Sequence, residues 1–143
     1  MSFWDKVPTS LYLEAQCSIE EQLSLYYLVE YFVEALHLQS TQGSLALEML
    51  IPPPPQYLDT LQQLLLDGRE PKLINEVSYH IAATKDCGKP LLQALIIQLG
   101  MQCFFMKTSV DERVKVLHSL FSPELHDPKI ARSRWRQLQS TTH

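Results

Sequence analysis

The chain has 143 residues, 45% of them hydrophobic and 20% charged, with a formal net charge of −4. That length suits one domain with a substantial core, and the composition excludes the weakly hydrophobic, highly charged class of disordered chains. Charge is unevenly shared. Residues 1–70 hold ten Asp/Glu against Lys6 and Arg69, whereas residues 71–143 hold ten Lys/Arg against six acids. A dipolar molecule is suited to docking with an oriented partner, although independent solvated faces give the same imbalance.

The opening stretch MSFWDKVPTS lacks the basic-then-apolar pattern of a secretory leader. Cys17, Cys87 and Cys103 are odd in number, widely spaced and without zinc-ligand spacing, so three reduced thiols are expected. Together these features predict a cytoplasmic or nuclear protein that needs no cofactor or metal.

The elements read as helices from end to end. SIEE at 18–21 is a capping box, with Ser18 and Glu21 reciprocally placed to satisfy backbone donors. The helix it opens is expected to run to about Leu38. QGS at 42–44 breaks the chain, and a short helix over LALEMLI must end before Pro52.

Pro52–Pro55 is a four-proline run, about 12 Å long as polyproline II. It is too short to separate domains and has no Lys or Arg beside it to mark a ligand for a proline-binding groove. The expectation is an internal elbow within a single domain covering 1–143.

Tyr57, Leu58, Leu61, Leu64 and Leu65 repeat at helical spacing, and Gly68 follows as a stop. Pro71 starts a helix whose apolar face is Leu73, Ile74, Val77 and Ile81. From Pro90 to Met106 no residue is charged. This run is shorter than the roughly 20 apolar residues of a membrane span, and Gln93, Gln98, Gly100 and Gln102 interrupt it, so it predicts a central buried helix at about 90–107.

SVDE at 109–112 is a second capping box, opening a helix to Phe121, and Asp127–Pro128 reads as N-cap and N1 of a basic C-terminal helix at about 128–139. No segment has the period-two alternation of strands. The fold class is therefore all-α: a compact single-domain bundle of six to seven mostly antiparallel helices. The helix pairs at 57–84 and 91–121 suggest repeat-like stacking, though the tetratricopeptide pattern is matched only at Leu99-Gly100 and Pro123.

Chemistry-bearing motifs are sparse. The five histidines are scattered, HExxH, GxSxG and Walker patterns are missing, and four glycines leave little material for a phosphate-binding loop. Cys103 paired with His80 or His118 would be the simplest dyad, but an apolar setting would raise the thiol pKa and make it inert. Met101, Phe104, Phe105 and Met106 would suit either a filled core or an apolar ligand pocket.

Two features point to binding. Tyr27 and Tyr31 fall one turn apart on the acidic side of the first helix, where tyrosines offer contact area at low entropic cost. The C-terminal helix places Lys129, Arg132 and Arg136 beside a stripe containing Trp135, a pairing of residue types rich in interface hot spots. The alternative for both is structural: tyrosines covered by another helix, and Trp135 docking its own helix.

The leading expectation is a protein–protein interaction module, an adaptor, chaperone-like or scaffold subunit, that binds an acidic protein surface through Lys129, Arg132, Trp135 and Arg136. Nucleic-acid binding through the same helix is the alternative, opposed by the acidic half of the chain. An enzyme or a hydrophobic-ligand carrier comes third.

Overall fold

The computed structural model describes residues 14–141, which form an all-α arrangement. Its helices are α1 (Ile19–Ser24), α2 (Tyr26–Gln42), α3 (Gln56–Leu66), α4 (Pro71–Ala83), α5 (Lys89–Cys103), α6 (Val110–His118) and α7 (Pro128–Thr141). Two 3-10 turns, Ser44–Met49 and Pro123–Leu125, interrupt the connections. Among the described residues no helix is long and apolar enough to cross a membrane.

The expected first helix is two helices. Ser18 and Glu21 form the full capping box at its start, but the ladder tightens at Leu25, whose N–H donates to the Gln22 carbonyl. The break lets α1 and α2 face different neighbours. The Gln22 amide donates to the Cys17 carbonyl and to Ser122 Oγ, and its own oxygen accepts from the Ser122 N–H. One side chain thus holds α1 to the turn before α7.

Other ends follow their caps. Pro71 opens α4, and Asp127 Oδ1 accepts from the Lys129 N–H at the start of α7. The second capping box is only half made: Ser109 accepts from the Glu112 N–H, and no reciprocal bond from Glu112 forms. The helix it opens stops at His118, short of Phe121.

Helix α5 is the centre of the molecule. Eleven of its fifteen residues are buried, and it packs against α2, α3, α4 and α6. Its glutamines reach outward to neighbours: Gln93 donates to the Tyr27 hydroxyl of α2, and Gln98 to Asn75 Oδ1 of α4. It ends at Cys103, earlier than expected, because Phe104, Phe105 and Met106 close tight turns onto the preceding carbonyls. Gly100 of α5 lies directly against the ring of Phe32 of α2.

The segment between α2 and α3 is ordered by its neighbours. Gln62 of α3 donates to the carbonyls of Leu47 and Leu50, and the Tyr27 hydroxyl of α2 donates to the Pro54 carbonyl. The expected elbow position is therefore tied from both flanking helices. The Pro54–Pro55 peptide is cis.

Candidate functional site

A groove of about 670 Å³ runs along the outer side of α2. Its floor is built from Tyr27, Glu30, Tyr31, Val33, Glu34 and His37. At 1.5 Å per residue, the floor from Tyr27 to His37 is about 15 Å long. One wall is the proline-bearing segment, through Ile51 and Pro53, and Arg132 of α7 stands at the other side.

The floor is rigid for identifiable reasons. The Tyr27 hydroxyl donates to the Pro54 carbonyl at 3.0 Å and accepts from Gln93 at 3.2 Å, fixing a half-buried ring. Tyr31 is only 8% exposed, with its ring edge-on to Phe32 at 5.2 Å. Burial pushes its phenol pKa up, and the carboxylates of Asp59 and Glu34 raise it further. The tyrosines are thus not the exposed pair that helix periodicity suggests; Tyr31 belongs to the core and shows only an edge in the groove.

Arg132 is not a free basic residue either. It clasps Glu30 with two bonds, Nε to Oε1 at 2.7 Å and a second guanidinium nitrogen to Oε2 at 2.8 Å. The pair joins α7 to α2. Beside it, Trp135 rests on the buried ring of Tyr26 at 5.5 Å between centroids, so this tryptophan docks its own helix. Arg134 pairs with Glu124 at 3.4 Å. Of the basic residues singled out from sequence, Lys129 and Arg136 alone are exposed and carry no ion pair among the described residues.

The apolar surface lies elsewhere. Leu45, Met49 and Ile51 are 71%, 73% and 91% exposed. They lie within seven residues of chain, and Ile51 among them lines the groove. The sequence predicts a short helix over LALEMLI; the structure has a 3-10 turn, Ser44–Met49, in which Leu47 is the buried residue. The available signal was density: apolar residues at 45, 47, 49, 50 and 51 cannot all face inward from one short turn.

The other polar cluster lies under α7. His118 is fully buried, and its Nδ1–H donates to the Val114 carbonyl at 2.7 Å. A carbonyl can only accept, so Nε2 of the neutral ring is left to accept from the Tyr26 hydroxyl, also at 2.7 Å. Burial lowers the His118 pKa, against smaller raising effects of the Val114 hydrogen bond and of the Glu30 and Asp127 charges.

The imagined cysteine dyads do not form. Cys103 Sγ faces the Arg113 carbonyl, and burial pushes its thiol up to about 12 despite the lowering effect of Arg113. His118 is committed to Tyr26, and His80 is exposed. Among the described residues no three His, Cys, Asp or Glu side chains converge where a metal could sit. Met101 and Phe104 are packed into the core.

No family model, curated protein or solved structure matches this chain.

Proposed function

We propose that the protein acts by binding another protein, with the α2 groove and its apolar wall as the docking surface. The observation that carries this reading is the exposure of Leu45, Met49 and Ile51 on one segment. Burying each such side chain is worth about 1.5–3 kcal/mol, so a fold that leaves three of them in water on one short segment has surface suited to covering. Fixed tyrosines beneath supply contact area without much loss of side-chain freedom.

This shifts the docking element away from α7. Arg132 and Trp135 are spent on intramolecular contacts, which leaves Lys129 and Arg136 as the outward basic pair. That pair, on one stripe with Ser133, Gln137 and Ser140, favours a second reading in which α7 touches nucleic acid.

The test is affinity capture from the protein's own cells, comparing the parent with the triple variant Leu45→Ser/Met49→Ser/Ile51→Ser and with Lys129→Glu/Arg136→Glu. The reading expects a stoichiometric protein partner that the triple variant loses. Capture of nucleic acid, lost only from the α7 variant, would select the second reading.

A further inference from the structure

We infer that the groove takes a cationic amphipathic segment of a partner protein, its apolar side chains against Ile51 and Pro53 and its Lys or Arg side chains against Glu34 and the neighbouring carboxylates. The inference rests on the docking reading above and adds the chemistry of the occupant.

The charge of the groove has one sign. Arg132 is the one Lys or Arg in its lining, and that charge is already matched by the two oxygens of Glu30. Glu34 is exposed and has no ion pair among the described residues. Asp59 of α3 lies close enough to Tyr31 to act on its phenol, and Glu48 is exposed on the wall segment. From residue 14 to residue 70 the chain holds nine acids and a single basic residue, Arg69. An acidic segment, or a phosphate backbone, would set like charges against this field, whereas Lys and Arg side chains match it.

Hydrogen-bonding capacity points the same way. Prolines carry no N–H, so the wall from Pro52 to Pro55 offers carbonyl acceptors and no backbone donors. The Pro54 carbonyl is taken by Tyr27, and no described group donates to the carbonyls of Pro52 and Pro53. With Glu34 also an acceptor, this side of the groove offers acceptors that a donor side chain would satisfy. Lys and Arg are the cationic side chains that donate and never accept. The apolar half of the occupant is called for by Ile51, whose exposure leaves its whole side chain for a partner. The floor, about 15 Å long, matches roughly ten residues of helix.

The probes are two fluorescein-labelled 14-residue peptides with the same helical leucine stripe, one with lysine and the other with glutamate at every remaining position. Each is titrated against the whole chain by fluorescence anisotropy at low and high salt. The expected result is that the lysine peptide binds, more weakly as salt rises, and the glutamate peptide does not. Glu34→Lys and Ile51→Ser should each weaken binding by about tenfold, with thermal midpoints unchanged because both side chains are exposed. Lys129→Glu/Arg136→Glu should not weaken it.

Preference for the glutamate peptide, or lysine-peptide binding indifferent to both groove variants, overturns the inference. If the lysine peptide fails while the captured partner is still lost from the Leu45/Met49/Ile51 variant, the cationic occupant is wrong and the docking reading stands. If no partner is lost from that variant, the docking reading itself fails. Sedimentation velocity covers the remaining occupant: self-association abolished by Ile51→Ser would assign the groove to a second copy of the chain and overturn the inference.

Discussion

Replacing Gly100 by alanine sets two known effects against each other. On an exposed helix the change gains about 1 kcal/mol from helix propensity. Here an added Cβ would lie 2.5 Å from three atoms of the Phe32 ring, where ordinary carbon contacts sit at about 3.5–4.0 Å. The ring must therefore retreat by about 1 Å. Phe32 is fully buried, with Tyr31 at 5.2 Å and Phe104 at 6.0 Å between ring centroids, so it has little room to move. Overpacking of this kind costs about 1–3 kcal/mol, and the upper part of that range applies. The net expectation is a loss of about 1–2 kcal/mol. Urea unfolding at equilibrium, with an unchanged m-value, measures it. In a Phe32→Leu background the same glycine substitution should cost less, because the two sites are coupled through one contact. Stabilisation by about 1 kcal/mol in both backgrounds would refute the close approach of α5 to α2.

Trp135→Ala should lower unfolding stability by about 1–3 kcal/mol, less than for a fully buried tryptophan, and no loss would mean that the Tyr26 stack does not hold α7. His118 has a native pKa below its usual value of about 6.5, so the unfolded chain binds the additional proton. Its contribution to stability is complete above about pH 6.5 and falls away as pH drops toward the depressed native value; His118→Gln should flatten the dependence of the urea midpoint on pH between 5 and 7. Cys87 is exposed whereas the Cys103 thiol is buried and pushed up to about 12. Maleimide should therefore label Cys87 in the folded protein and Cys103 only at the rate of unfolding, as read by mass spectrometry of digests.

Local sequence signals carried much of the fold. Ser18, Pro71 and Asp127 mark helix starts because caps depend on residues a few positions apart, and the uncharged stretch after Pro90 marks the central helix because burial on all sides tolerates no charge. What escaped depends on distant neighbours. Tyr31 falls on the polar side of a helical wheel, but a wheel assumes one buried face, and α2 is covered by the 3-10 turn as well as by α5 and α6. Arg132 and Glu30 are 102 residues apart, and nothing local announces their pairing. The break at Leu25 carries no Gly or Pro; it serves the contact of Gln22 with Ser122, a hundred residues away. The short helix expected over LALEMLI is a 3-10 turn, and the two geometries turn the same apolar residues to different sides.

The docking claim is tested most directly by placing a photo-crosslinking amino acid at position 51 on the groove wall and, as a control, at position 80 on the exposed side of α4. Irradiation in the protein's own cells should give a discrete protein adduct from position 51 and none from position 80. Mass spectrometry should place the bond in a lysine- or arginine-bearing amphipathic segment of the partner. Absence of any adduct from position 51, or equal adducts from both positions, would contradict the account.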